Sequence, residues 1–569
     1  MSVATVTATM MLLTRSETIL ARNTPRVVKV LLSRPFQRAY TPFDTKRTAG
    51  SKVSGGGNSK ALNVALVGGS STVAILLAYN FLSSGAQPVS PSPGSISNIR
   101  SFHTQQNKLL KDVNKNSSDT LVLLSEEEVN RKLRAIQESY TVNRAKGILR
   151  YDVAQLPSNH PIEDNHIEQI VTVPPTRGVN SKGQEREEED LYFFGIFDGH
   201  GGPFTSAKLS RELVSYVARQ LYPIYNSSVV NDSDGQERSN LFSKAIATSF
   251  LELDRDIVQG AFRRLVREPS RENALAALPA ISGACCLLSI FDSEDSTLRV
   301  AVTGDSRALI GGVDSEGRWF VKALSVDQTG DNPTEVSRLK SEHPGEKGVI
   351  RRGRILGSLQ PSRAFGDYRF KLDAIDGKKL SDLPNDVKMY LRNIPNDLLT
   401  PPYVTAEPVI TTTKIVPGIK FMVMASDGLF ELLTNEEIVA LVAKWQERYM
   451  PQNGSTGDVS NQLSIVRDIS SSGDAESQRT DFRYKEVKDS SRGGYLLEDS
   501  NVATHLIRNA LSAGGRKDYV TTLVSIPSPM SRKYRDDLTV TVAFFGDSAK
   551  DDGSLVANYD ATSEPKPKL

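Results

Sequence analysis

The chain has 569 residues, enough for one large or several ordinary domains, and its 38% hydrophobic and 24% charged residues are those of a globular protein. A formal net charge of +2 argues against a nucleic-acid partner. Cys285 and Cys286, the only cysteines, are neighbours in an apolar run, which excludes a disulfide framework or a cysteine-rich zinc site, and six scattered histidines speak against an all-histidine metal site.

Residues 1–60 carry Arg15, Arg22, Arg26, Lys29, Arg34, Arg38, Lys46, Arg47, Lys52 and Lys60 against Glu17 and Asp44, with many Ser and Thr between. That is the composition of a mitochondrial transit segment, and Arg38-Ala39-Tyr40 before Thr41 is similar to a matrix-peptidase cleavage site. The stretch 61–82, "ALNVALVGGSSTVAILLAYNFL", is uncharged and long enough to cross a bilayer of about 30 Å as a helix. Polar sequence flanks it, and residues 83–118 read as a flexible linker. A transit segment followed by such a span predicts attachment to the mitochondrial inner membrane, with the folded part facing the intermembrane space, while a matrix location stays open. At the other end, Pro567-Lys568-Leu569 resembles the Ser-Lys-Leu peroxisomal address, so a minor peroxisomal pool depending on Leu569 is expected.

The folded part is expected over 119–548, followed by a polar tail, 549–569. Ser125 with Glu128 suits a capping box opening a helix that runs to about Glu138. Polar insertions near 176–190, 226–240 and 451–497 read as surface loops. The strand-like runs share a habit. "LYFFGIFDGHGG", 191–202, stops on Asp198, Gly199 and His200; "LRVAVTGDSRALIGG" turns at Gly304-Asp305; "KFMVMASDGLFELL" puts Asp427 after a strand; and Asp536-Asp537 opens "LTVTVAFFG". "PIED" adds Glu163 and Asp164. One acid at a strand end is usually a turn or cap. If the strands share one sandwich, however, their ends converge on one rim, where clustered carboxylates repel unless a cation neutralises them. Oxygen-only ligands favour Mg²⁺ or Mn²⁺.

Seven segments in order, "PIED", "FGIFDGHGG", "TGDSRALIG", "GSLQPSRAFGDYRFK", "PYVTAEPVI", "ASDGLFELL" and "RDDLTVTVAFF", resemble the metal-dependent Ser/Thr protein phosphatases of the protein phosphatase 2C family. "SNHPIED", the long insert and the N-terminus are most similar to its mitochondrial pyruvate dehydrogenase phosphatase branch, fungal type. The resemblance implies an α+β fold, a central antiparallel β-sandwich flanked by helices on both sides, with two Mg²⁺ or Mn²⁺ ions at one rim. It also implies roles. Asp198 bridges both ions, the Gly199 carbonyl adds a ligand, Asp427 and Asp536 complete the shell, Glu163 and Asp164 hold metal-bound waters, and Asp305 helps a third, weaker ion. A shared water of lowered pKa then attacks phosphorus without a phosphoenzyme, and His200 protonates the leaving Ser or Thr oxygen. The implied partner is a phosphoprotein substrate, in this branch the pyruvate dehydrogenase complex. One departure concerns Asn159. Many family members carry an arginine four residues before the Glu of the "ED" pair, so weaker phosphate grip is expected at this position. Two other classes compete: a catalytically inactive phosphatase-fold scaffold, although no ligand carboxylate is lost, and a membrane-tethered Ca²⁺-binding protein, although no loop has the EF-hand pattern.

Overall fold

The run "GACCLLSIFD" over 283–292 is buried at every position, as a strand must be when both faces of its sheet are covered. A computed structural model of the chain describes residues 30–31, 122–173, 189–225, 235–450, 462–472 and 494–563. The span expected at 61–82, the linker 83–118, nearly all of the transit segment and the terminal Pro567-Lys568-Leu569 lie outside the described residues. Among the described residues no helix is long and apolar enough to cross a membrane.

In chain order the main strands are β1 (Gln137–Asn143), β2 (Ile148–Leu156), β3 (Asn165–Val173), β4 (Glu189–His200), β5 (Gly283–Asp292), β6 (Thr297–Thr303), β7 (Arg307–Val313), β8 (Trp319–Ala323), β9 (Val409–Lys414), β10 (Ile419–Ala425), β11 (Ser470–Ser472), β12 (Leu538–Phe545) and β13 (Ser554–Ala557). One sheet runs β3-β4-β5-β6-β9, with Val30–Leu31 paired to the β3 edge; the other runs β11-β8-β7-β10-β12-β2-β1-β13. Pairing along these paths is antiparallel except where β11 lies parallel to β8.

Side-chain alternation along β4 shows how the layers stack. Tyr192, Phe194 and Ile196 face the other sheet and join Ile148, Val300, Ile310 and Met424 in an inner core. Phe193 and Phe197 face outward onto α1 and α2, counted here as the long helices Phe204–Tyr225 and Gly235–Arg255, through Leu209, Leu213 and Phe250. On the opposite side Val540 and Val542 pack against α3 (Asn435–Tyr449), α4 (Val502–Leu511) and α5 (Lys517–Ser525) through Trp445, Leu506 and Leu523. Each large apolar side chain removed from water in these layers contributes about 1.5–3 kcal/mol. The result is the α+β sandwich with helices outside both sheets.

Several boundaries differ from the sequence expectation. The helix opened by the Ser125–Glu128 capping box is Glu126–Leu133 and ends before Glu138, because Gln137–Thr141 pair with β2 instead. Strand β4 continues through Asp198 and Gly199 to His200, since those residues pair with Cys285, Ala284 and Gly283. Glu189 and Asp190 belong to β4, and α2 begins at Gly235, inside the stretch expected as a loop. Within 451–497, residues 470–472 add the parallel edge strand, and Asn509 binds the backbone of Leu496 from both sides. The polar tail also contains structure: β13 pairs with β1, and the Ser563 N–H donates to the Gln137 carbonyl.

Candidate active site

Three strand ends meet at one rim of the sandwich. Asp198 lies near the end of β4, Asp305 in the turn after β6, and Asp427 just beyond β10 on the facing sheet. Their carboxylate oxygens lie within 4.8 Å of one another. The turn at Gly304 has φ +113°, and a Cβ there would overlap the Cys285 side chain, so glycine is required. Cys285 and Cys286 are both buried free thiols, and the Cys285 thiol donates to Asp305 Oδ1 at 3.2 Å. Burial first, and then the negative charges of Asp164, Asp427 and Asp305, push the Asp198 carboxyl well above the usual carboxylate range, against the pull of Arg532. A divalent cation removes that repulsion, and the all-oxygen donor set fits a hard ion such as Mg²⁺ or Mn²⁺.

The "PIED" loop is held beside this cluster by Asp537. Its Oδ1 accepts from the Ser158 N–H at 2.5 Å, the Ser158 hydroxyl at 2.9 Å and the Asn159 N–H at 3.1 Å, and its Oδ2 from the Glu163 N–H at 2.9 Å. Glu163 in turn accepts from the Gly202 N–H at 2.7 Å and from Asn159 Nδ2 at 3.2 Å. Gly199 allows close approach here, for a Cβ on it would collide with the Glu163 carbonyl. Asp164 is 2% exposed and accepts from the Thr539 hydroxyl at 2.7 Å. Burial, and next the charge of Asp537, push its carboxyl up to about 8.

The sequence-derived residues are therefore not all gathered equally. Asp198, Asp305 and Asp427 form one cluster, with Asp164 within its electrostatic reach and Glu163 on the adjoining loop. Asp536 is not one of these three: it lies beside Gly428, with its carboxylate in direct contact with the Arg532 guanidinium. Its neighbour Asp537, assigned no role from sequence, is the residue that fixes the loop.

His200 ends β4 with its side chain 24% exposed, and its Nε2 lies 2.5 Å from Asp367 Oδ2. Burial would lower the pKa of this imidazole, but the Asp367 carboxylate outweighs it and the net shift is upward. Asp367 is 3% exposed, and although burial would raise its pKa, the charge of His200 holds it below the usual value. Sequence reasoning missed Asp367. It lies inside "GSLQPSRAFGDYRFK", but no pattern in that segment shows which residue 167 positions away it will meet. Asp367 adopts φ +51°, a left-handed conformation uncommon for a non-glycine residue and frequent at functional sites. Its loop is braced on both sides. Asp254 accepts from the Gly366 N–H at 2.8 Å and from Lys371 at 2.6 Å, while Arg363 grips Glu335, whose carboxyl is lowered to about 2: burial acts upward, and hydrogen bonds led by Arg363 outweigh it.

Comparison with known proteins agrees with this geometry. The sequence matches the family description "Protein phosphatase 2C" over residues 176–464, a stretch that holds Asp198, Gly199, His200, Asp305, Asp367 and Asp427. The chain is similar to the mitochondrial [pyruvate dehydrogenase [acetyl-transferring]]-phosphatase 1 of Saccharomyces cerevisiae, 52% identical over 94% of this chain and 95% of the relative. It is 37% identical to a protein phosphatase 2C homolog of Schizosaccharomyces pombe, over 73% of this chain and 84% of that one. It is 33% identical to the mitochondrial [pyruvate dehydrogenase [acetyl-transferring]]-phosphatase 1 of Bos taurus, over 74% and 83% respectively. The chain belongs to the protein phosphatase 2C family, on its fungal pyruvate dehydrogenase phosphatase branch, and is a metal-dependent protein serine/threonine phosphatase.

Proposed function

We propose that this phosphatase acts on phosphoserine or phosphothreonine of the pyruvate dehydrogenase complex in mitochondria, the activity and place named for its relatives from Saccharomyces cerevisiae and Bos taurus. The observation that carries the chemistry is the meeting of Asp198, Asp305 and Asp427 beside the His200–Asp367 pair.

In this reading Asp198, Asp427 and Asp536, with the Gly199 carbonyl, would hold two Mg²⁺ or Mn²⁺ ions, and Asp305 would help a third, weaker one. When bound, such ions would supply a water of lowered pKa and neutralise charge on the phosphoryl oxygens. Glu163 and Asp164, fixed by Gly202, Asn159 and Thr539, orient water at the edge of the cluster. His200 gives its Nε2–H to Asp367, which leaves Nδ1 to deliver a proton to the departing Ser or Thr oxygen. Asp367, anionic and buried, keeps the ring oriented and favours its charged form.

Pyruvate dehydrogenase is a matrix complex, so this substrate requires the catalytic unit to face the matrix, attached through 61–82 or released from it. The intermembrane-space expectation is the other outcome of the test that follows. Protease treatment of mitochondria with ruptured outer membranes should leave the domain intact, whereas digestion would exclude the matrix. The substrate itself is tested by phosphate release from phosphorylated pyruvate dehydrogenase with Mg²⁺ or Mn²⁺ and with EDTA. Hydrolysis of a small aryl phosphate with no release from the complex would separate a phosphatase of another substrate from this one.

A further inference from the structure

The turn Met530–Lys533 is docked against the loop that carries Asn159: the Ser531 hydroxyl donates to the Ser158 carbonyl at 2.5 Å, and Asp537 just downstream holds the Ser158 and Asn159 N–H groups. Asn159 is neutral, and its amide is already bonded to Glu163, so it brings no positive charge to the rim. Arg532 does. Its guanidinium contacts Asp536 and lies within the field of Asp427, Asp198, Asp537 and Glu163, yet its side chain stays 41% exposed, open to a ligand entering from solvent. A planar donor array at the mouth of an acidic, cation-binding cluster suits one ligand class, a phosphoryl group whose remaining oxygens need neutralising.

We propose that Arg532 is the residue that grips the substrate phosphate, taking from the C-terminal side of the Ser158–Glu163 loop the role that Asn159 does not fill. The assignment rests on the phosphatase reading. With Asp536 engaged in the metal shell, the guanidinium is left at the rim to turn to the phosphoryl oxygens.

Steady-state kinetics on a phosphoserine peptide, and calorimetric titration of inorganic phosphate into the Mn²⁺-loaded protein, test this with Arg532→Ala and Arg532→Lys. Arg532→Ala should raise KM and weaken phosphate binding in parallel, by roughly ten- to hundredfold as for charge-assisted hydrogen bonds, with Arg532→Lys between it and the parent. The Mn²⁺ concentration giving half-maximal activity should not fall. Unchanged KM and phosphate affinity, with less Mn²⁺ required, would show that Arg532 is a counter-charge for the carboxylates and overturn the proposal. A parent protein that binds phosphate but hydrolyses no phosphoester would overturn the phosphatase reading and not this contact. An unfolded Arg532→Ala protein, seen by circular dichroism, together with a folded Arg532→Lys of parental phosphate affinity would also overturn it, since the residue would then be structural.

Discussion

His200 and Asp367 are joined across 167 residues by a 2.5 Å contact that a side chain on Gly283 would break. Gly283 sits opposite His200 in the β4–β5 ladder, and a Cβ built on it falls between His200 Nε2 and Asp367 Oδ2. Gly283→Ala should therefore displace the imidazole and lower kcat on a phosphoserine peptide by roughly 100-fold, the cost of misplacing a catalytic group by about 1 Å. Stopped assays beside calorimetric Mn²⁺ titration check this. Loss of metal binding together with activity would mean that the substitution disturbs the carboxylate cluster instead.

Asp367→Asn removes the charge that raises the His200 pKa while keeping the shape. Burial is then opposed only by the weaker charges of Glu163 and Asp305, so the imidazole loses its proton at lower pH and the alkaline limb of the pH–rate profile moves down. Phosphoserine peptides should slow by roughly 10- to 100-fold, and aryl phosphates much less, because a phenolate leaves with little help. Equal losses on both substrates, with the limb unmoved, would show that the pair only shapes the loop.

Much of this site was legible because each clustered carboxylate sits beside a glycine at the end of an apolar run. Asp198, Asp305 and Asp427 needed only the premise that their strands share a sandwich. Other relationships depended on tertiary pairing. Asp536 and Asp537 look alike in sequence; register sends one toward Arg532 and the other under the Ser158–Glu163 loop. The fold class came with the family resemblance, but β13 did not. Its four residues lie in polar sequence and become a strand only because β1 offers an open edge.

That edge makes truncation informative. Ending the chain after Gly553 removes the β13 pairing, the bonds between Asn558 and both Thr141 and Ser139, and the Ser563 contacts with Gln137. The truncated protein should have a lower urea midpoint and a reduced Tm, with kcat/KM per folded molecule unchanged because none of these residues touches the rim. An unaltered melting curve would show that the tail contributes nothing to the fold.

His505 gives the stability of the outer helices a pH dependence. It is fully buried; its Nε2 bonds the Leu441 carbonyl at 3.2 Å and its Nδ1 accepts from Asn509 Nδ2 at 3.2 Å, an arrangement only the neutral ring satisfies. Burial, the leading cause, lowers its pKa from 6.5 to about 4. Between those values the unfolded chain binds a proton that the folded chain refuses, so stability is complete above about pH 6.5 and is lost as pH falls toward 4. The shift corresponds to about 3 kcal/mol. Urea titrations from pH 7 to 5 should show a smaller loss for His505→Gln than for the parent, narrowing the gap between them. Parallel curves would place the acid sensitivity elsewhere.

The central claim is that Asp198, Asp305 and Asp427 form a metal centre that hydrolyses phosphoproteins, and Asp427→Asn tests it most directly. Phosphate release from phosphorylated pyruvate dehydrogenase should depend on added Mn²⁺, stop with EDTA, and fall on the order of 100-fold at the same Mn²⁺ in Asp427→Asn. The variant should fold at least as well as the parent, because one repelling carboxylate is gone. Near-parental turnover at low Mn²⁺ from folded Asp427→Asn would contradict the account.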